Sequence, residues 1–386
     1  MDERFTKLLS NEVQLFIREH LDTDVHALLL KKSPFEDASV QDLAQQIKGR
    51  QVAARKLPFL NIDGIVFPPA INLEQSSSEA TARYKAGIVG GGGHFVDLTA
   101  GFGIDTFFIS QKFSEVSLVE QNEELIAIDT HNWKVLNRNA HFIHSTLEQF
   151  LQENQQFFQL VYLDPARRDA SKRKVFLLEE LSPNILNIQQ QLFSLTDQIL
   201  IKLSPLIDIS YISEVLNDIS QIHIVAVKND VKELLVLLKK GFSSDFTITA
   251  VNLESSEPEF SFTVTEENSE AEYGGVQNFL FVPNNAVLKS GAFNLIAQRF
   301  GLRKLHPNTH LYTGNQELSD FPGRMFTVEK IKSNTIKKGE RYNIISKNYP
   351  LKPDQIKKKY KIKDGGNVYL IFTEDVSGKI ILKSQG

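Results

Sequence analysis

Between His94 and Thr106 the chain reads His-Phe-Val-Asp-Leu-Thr-Ala-Gly-Phe-Gly-Ile-Asp-Thr, a short buried strand, a tight glycine turn and the first turn of a helix. Gly101 and Gly103 carry no Cβ, so the backbone can come close to a ligand between them. The helix after the turn points its free N–H groups and its positive dipole end at the same place. A strand and helix joined this way belong to a parallel sheet covered by helices, and such a sheet takes a nucleotide-like ligand at the carboxyl ends of its strands.

The rest of the chain supports that class. Strands are expected at Phe95–Thr99, Val116–Glu120, His141–Ser145, Leu160–Asp164, Gln198–Leu203, His223–Lys228 and Thr247–Leu253, with amphipathic helical stretches at Glu123–Leu136, Leu178–Phe193 and Val231–Lys239. Residues before about 70 read as helical. Val13, Phe16 and Ile17 share one side of a helix, and Ser39 ahead of Asp42 caps another that runs to Lys48. Ala286–Phe300 reads as a helix stopped by Gly301. Beyond it, strands at Phe326–Ile331, Tyr342–Lys347, Val368–Thr373 and Ile380–Lys383 surround a helix near Pro353–Tyr360, a small α+β unit.

Residue chemistry selects the ligand. A dinucleotide turn needs G-x-G-x-x-G to seat a pyrophosphate, but Thr106 occupies the third glycine position. Asp97 and Asp105 flank the turn, repelling a pyrophosphate and suiting a ligand that carries an ammonium and a sulfonium. The pattern Asp97-x-x-x-Gly101-x-Gly103 resembles motif I of class I S-adenosylmethionine methyltransferases. Glu120, 17 residues beyond Gly103 at the end of the next strand, is placed to accept hydrogen bonds from ribose hydroxyls.

Composition narrows the range of functions. The 386 residues suffice for two or three domains, and 41% hydrophobic with 23% charged residues is an ordinary globular balance. No apolar run approaches the ~20 residues of a membrane span, and Met1-Asp2-Glu3-Arg4 does not open a signal peptide. The absence of cysteine excludes disulfides and thiolate metal sites, and points to the cytoplasm. It also removes the nucleophile that methylation at pyrimidine C5 normally uses, leaving a nitrogen, an oxygen or a carbon reached otherwise. Net charge is −4, yet Gly241–Leu288 holds no Lys or Arg while Lys330–Gly386 holds 14 against 5 acids. A basic terminal module of this kind suggests an anionic partner; a solvated lysine face is the alternative.

Further chemistry is expected at Asp164-Pro165-Ala166-Arg167-Arg168, where a central strand ends over the cofactor pocket. Amino-group methyltransferases often carry Asp/Asn-Pro-Pro-aromatic here, and this chain departs with Ala166 and Arg167. A guanidinium can stack on a base, or Arg167 and Arg168 can bind phosphate. Thr99 and Phe102 line the turn. Thr146, after the third strand, stands where an acid often faces the adenine amino group. Lys202, near the fifth strand tip, reaches the pocket mouth or makes a structural ion pair. His141 and His144 are poor metal ligands as a pair, and no metal is expected.

Taken with Gln75-Ser76-Ser77-Ser78-Glu79-Ala80-Thr81, Leu305-His306-Pro307-Asn308-Thr309-His310-Leu311-Tyr312 and Lys361-Ile362-Lys363-Asp364-Gly365-Gly366, these segments resemble the bacterial class I methyltransferases with a C-terminal THUMP-like domain. The resemblance implies a Rossmann-like α/β sheet over 73–281, a helical N-terminal domain over 1–72, a ferredoxin-like segment over 282–325 and a THUMP-like module over 326–386. It implies S-adenosylmethionine as cofactor and RNA, tRNA favoured, as partner. Asp97, Thr99, Gly101, Phe102, Gly103, Asp105, Glu120 and Thr146 then face the cofactor. Asp164, Pro165 and Arg167 face the acceptor, and Lys357, Lys358, Lys359 and Lys361 face RNA phosphates. Two rival readings stay open, a non-catalytic RNA-binding protein that keeps the pocket and a small-molecule or protein methyltransferase. A nicotinamide oxidoreductase is disfavoured by Asp97 and Thr106.

Overall fold

A computed structural model describes residues 3–167 and 177–385. The chain divides into two compact units, one ending at Ile219 but including Leu235–Phe242, the other formed by Ser220–Leu234 and everything from Ser243 onward.

In the first unit, β1 (Gly92–Asp97), β2 (Phe113–Glu120), β3 (His141–His144), β4 (Leu160–Leu163) and the strand Gln198–Leu203 are parallel. Their order is Gln198–Leu203, β4, β1, β2, β3. The chain therefore starts at the centre, builds outward on one side, then returns to build on the other. The reversal falls between β1 and β4, the kind of switch point at which a parallel sheet takes its ligands. Phe95, Val96, Leu118, Val119, Val161, Leu163 and Ile199–Ile201 are wholly buried, which is why these strands read as continuous apolar runs.

Helices before the sheet frame the site. The helix Val40–Lys56 is capped by Ser39, whose hydroxyl accepts from Asp42 N at 3.1 Å, as expected, but it runs eight residues past the expected end at Lys48. Gly49 does not stop it. A Cβ there would lie 2.2 Å from Phe67 Cγ, so the missing side chain admits an aromatic ring. Phe67 joins Leu60, Leu73, Phe102, Phe108 and Ile128 in one apolar cluster, which fastens the N-terminal helices beneath the glycine turn. The helix Glu79–Ile88 comes next, with the Ser78 hydroxyl accepting from Thr81 N.

Three expected elements take a different form. Val231–Lys239, expected as a helix, is part of the strand Asp230–Lys239. Leu234, Leu235, Val236 and Leu238 are buried on both faces, so the run carries no strand alternation, and Lys228 and Asn229 form the tight turn before it at φ +50° and +67°. Leu178–Phe193 is helical by α geometry only over Ile185–Leu192, after Pro183, which has no N–H to continue a helix inward. Ala286–Phe300 is two helices, Asn285–Lys289 and Phe293–Arg299, parted at Gly291 with φ +80°.

In the second unit, Thr247–Leu253 pairs parallel with the strand beginning at Ile219 and antiparallel with Phe260–Thr263. A seven-stranded sheet comes after them in the order Arg303–His306, Thr309–Gly314, Phe279–Pro283, Gly323–Ile331, Gly378–Ser384, Lys363–Asp375, Arg341–Ser346. The segment Leu305–Tyr312 is a hairpin closed at Pro307-Asn308. Among the described strands of this sheet, Arg341–Ser346 and Lys363–Asp375 pair parallel and the other neighbours antiparallel, and the helix Pro353–Tyr360 connects the parallel pair. Three strands over 279–314, which the sequence pattern does not announce, thus share one sheet with the four of the terminal module.

Candidate active site

The glycine turn is strung between neighbouring strand ends. Leu98 N donates to Tyr162 O on β4 at 3.1 Å, and Ala100 N donates to Val119 O on β2 at 3.1 Å. Gly103 N then donates to Ala100 O at 2.8 Å, closing the turn. Gly101 and Gly103 lie at φ +58° and +60°, a left-handed conformation costing other residues about 1–2 kcal/mol. At Gly103 a Cβ would also meet Asp129 Oδ2 at 3.1 Å and Trp133 Nε1 at 3.3 Å.

Asp97 is buried at the end of β1. Its Oδ1 accepts from Thr99 N at 2.9 Å, and its Oδ2 accepts from the Thr106 hydroxyl. Burial pushes its carboxyl up to about 7, against the hydrogen bonds of Thr106 and Thr99 that favour the anion. Both oxygens thus brace the turn from within. Glu120 braces its outer rim: Oε2 accepts from Gly101 N and Oε1 from Asn122 N, each at 2.8 Å. Asn122 in turn caps the helix Glu123–Val135. Thr146 spends its hydroxyl capping the helix Leu147–Glu153 through Gln149 N at 3.2 Å. Phe102 is buried in the apolar cluster under the turn.

Asp105 organises the other side. Its Oδ2 accepts from Tyr162 OH at 2.7 Å and Ser77 Oγ at 2.8 Å, and its Oδ1 lies 3.1 Å from Lys85 Nζ. Lys85, with no side-chain exposure, also donates to Ser77 Oγ at 3.0 Å. Burial works against the Asp105 anion, yet Lys85 and Lys202, with the Tyr162 and Ser77 hydrogen bonds, hold its carboxyl below the ordinary range. At the tip of β4, Asp164 N donates to Thr99 Oγ1 at 2.7 Å, and Lys202 Nζ donates to Asp164 Oδ2 at 2.5 Å. Lys202 Nζ is also 4.0 Å from Asp105 Oδ2. Buried Pro165 is next, then Ala166–Arg167 paired antiparallel with Leu181–Ser182. The Arg167 side chain and the whole of Arg168 lie outside the described residues.

The structure therefore gathers Asp97, Thr99, Gly101, Gly103, Asp105, Glu120 and Asp164 around the glycine turn and the strand ends beside it, and pairs Lys202 with both Asp164 and Asp105. Ser77, Lys85, Tyr162 and Asp129 are additions. Asp129 lies beneath Gly103 with Oδ2 lacking a hydrogen-bond partner, and burial beside Glu120 and Asp97 pushes its carboxyl well above the ordinary range. A lysine in a small-residue helix and a tyrosine within an apolar strand were the legible signals for Lys85 and Tyr162.

A second cluster lies in the C-terminal module. Lys357 is engaged by Asp364 at 2.9 Å and Asp354 at 3.7 Å, and Lys361 caps the helix in a left-handed conformation at φ +56°. Lys358 is exposed. Lys359, its Nζ 5.4 Å from the Tyr360 ring centre, lines an open cleft of about 640 Å³ with Lys330, Lys332, Lys379 and Tyr349. Among the described residues, no helix is long and apolar enough to cross a membrane.

Comparison with known proteins supplies the context. A family described as a ferredoxin-like domain matches residues 279–322, and one described as THUMP domain-like matches 323–383. A crystal structure from Porphyromonas gingivalis W83, provisionally described as a methyltransferase, superposes with a TM-score of 0.87 at 29% identity, covering 99% of this chain and 98% of that one. An uncharacterised RNA methyltransferase of Mycoplasma mobile is 33% identical over 90 residues, 23% of this chain; the match spans 24% of that relative's length.

Proposed function

Since the chain has the class I methyltransferase architecture with ferredoxin-like and THUMP-like parts after it, we propose that it is an S-adenosylmethionine-dependent RNA methyltransferase, with tRNA the favoured substrate. The observation that carries this reading is the β1/β4 switch point, where a turn with two left-handed glycines meets the acids Asp97, Glu120 and Asp164 at three strand ends. In this reading the chain divides into 1–72, 73–281, 282–325 and 326–386, and works in the cytoplasm.

The residues fit the cofactor. Gly101 and Gly103 hold the left-handed conformations the turn needs, and Glu120 stands at its rim with both oxygens on backbone N–H groups. When bound, the cofactor supplies an electrophilic methyl on a sulfonium. Asp97, Thr99, Gly101, Phe102, Gly103 and Asp105 shape and charge the methionine end. Glu120 exchanges a backbone partner for ribose hydroxyls, and Thr146 borders the adenine. Asp164, Pro165 and Arg167 orient the acceptor, so that catalysis is chiefly alignment. Lys357, Lys358, Lys359 and Lys361, joined by the other cleft lysines, hold RNA phosphates. With no cysteine available, the acceptor is one that needs no thiolate.

Calorimetry with S-adenosylmethionine, followed by tritiated methyl transfer to total RNA and to purified tRNA, tests the reading. Binding and transfer to RNA are expected. Tight binding without transfer to any RNA would favour a non-catalytic RNA-binding protein, and transfer with no affinity for tRNA at low salt would favour another acceptor.

A further inference from the structure

Asp164 does not stand open at the acceptor end of the site. Its Oδ2 is held at 2.5 Å by Lys202 Nζ and its amide by the Thr99 hydroxyl. Behind the pair, Asp105 is fixed by Tyr162, Ser77 and the fully buried Lys85, leaving Lys202 4.0 Å away across the same carboxylate. The side chain of Lys202 is 14% exposed and that of Asp164 is 37% exposed, so the aspartate is the more open member of the pair.

This arrangement discriminates between acceptor atoms. A neutral amino group that attacks a sulfonium methyl becomes cationic, and a neighbouring ammonium opposes that change. A hydroxyl develops the opposite charge as its proton departs, and an ammonium beside it is then favourable. Internal nucleotides of RNA present one such group, the ribose 2′-hydroxyl.

Resting on the RNA methyltransferase reading above, we infer that the acceptor is a ribose 2′-hydroxyl, with Asp164 taking its proton and Lys202 holding the charge that develops on oxygen. The acceptor O–CH₃ bond forms as the sulfonium S–CH₃ bond breaks, and the electron pair of that bond stays on sulfur. The O–H proton passes to the Asp164 carboxylate and later to water. Lys202 remains an ammonium throughout. Lys85 is a positioning residue: it fixes Asp105, which in turn limits where Lys202 can sit.

The test uses the full chain, an RNA transcript that accepts methyl groups, and S-adenosylmethionine with a deuterated methyl. Mass spectrometry of the digested nucleosides should place the label on the sugar fragment, and the adjacent phosphodiester should resist alkaline cleavage. A label on the base overturns this inference and leaves the RNA methyltransferase reading intact. Cofactor binding with no label in any RNA overturns that reading and this inference with it. Lys202→Met and Asp164→Asn should each keep cofactor affinity, by calorimetry, within about threefold while slowing transfer by about 10²–10⁴-fold. Lys202→Arg should recover part of the loss. Retained transfer in Asp164→Asn, or cofactor affinity lost in parallel with transfer in both variants, overturns the assignment.

Discussion

Lys85 Nζ lies 3.1 Å from Asp105 Oδ1, with a lysine side chain that has no solvent exposure and an aspartate side chain that is 8% exposed. The lysine comes from the helix ahead of β1 and the aspartate from the first turn after the glycines, so this contact ties the two elements flanking β1 to each other. Ser77 serves both partners, and Tyr162 adds a hydrogen bond from β4. A buried ion is costly unless it is compensated, and here two hydroxyls donate to Asp105 Oδ2 while Oδ1, without a hydrogen-bond partner, relies on the Lys85 charge.

Removing the lysine charge should therefore expose that cost. Lys85→Met leaves the Asp105 carboxylate buried with less compensation and should destabilise the first unit by about 3–5 kcal/mol in urea unfolding. The double variant Lys85→Met/Asp105→Asn should regain a substantial part of the loss. A single-variant loss below about 1 kcal/mol would mean that Lys202 and the hydroxyls suffice without it.

Asp97 predicts a pH dependence. Its folded-state carboxyl is raised from 3.8 to about 7, chiefly by burial, so between those values the unfolded chain has released a proton that the folded chain retains. Its stabilising contribution is full below 3.8 and is lost as pH rises through about 7. Asp129, raised by burial as well, slopes the same way. Asp105, whose carboxyl is lowered, contributes in the opposite sense and only in more acid solution. Asp97 alone therefore lowers stability between about pH 4 and pH 7, against the opposite slope of His223 and His310, whose imidazoles burial lowers to about 4; Asp97→Asn should shift the measured pH slope toward rising stability over that range. An unchanged slope in the variant would assign the effect to Asp129.

The sheet and the turn were legible because their signals are local. Two glycines, an acid before them and an apolar strand on either side lie within one short stretch, and a parallel sheet imposes its own order on the later strands. The pairings of Lys85 and Lys202 were not, since each depends on which acid the fold brings opposite, and Asp105 lies 20 residues from one and 97 from the other. Val231–Lys239 failed for a different reason. Burial on both faces erases the alternation that separates a strand from a helix, and the two-residue turn at Lys228-Asn229 was the remaining cue. In the terminal module the helix Pro353–Tyr360 was readable, but the cleft was not, because it draws lysines from two strands as well as from that helix.

Gly103 tests the turn itself. Alanine there must adopt φ +60°, and its Cβ must displace Asp129 Oδ2 or Trp133 Nε1, both within 3.3 Å. The expected cost is about 1–3 kcal/mol of stability. Cofactor affinity should fall by more than tenfold in calorimetry, because the displaced turn no longer presents its backbone at the switch point. A variant that unfolds less readily than expected and binds as the parent does would show that the turn can shift away from Asp129 at little cost.

The lysines of the terminal module divide by their partners. Lys357 already neutralises Asp364 at 2.9 Å and Asp354 at 3.7 Å, so bringing it onto a phosphate means giving up those contacts. Lys359 and Lys379 face the cleft beside Tyr360 and Tyr349, where phosphates and stacked bases can be held together. Binding of tRNA, measured by filter retention across a salt series, should lose about one unit of log–log slope for each of Lys359→Ala and Lys379→Ala, with affinity at low salt falling accordingly. Lys357→Ala should change the slope by much less, because the counterions it displaces from RNA are offset by two newly uncovered carboxylates. Equal losses at all three positions would mean that RNA is read by the helix surface and not by the cleft.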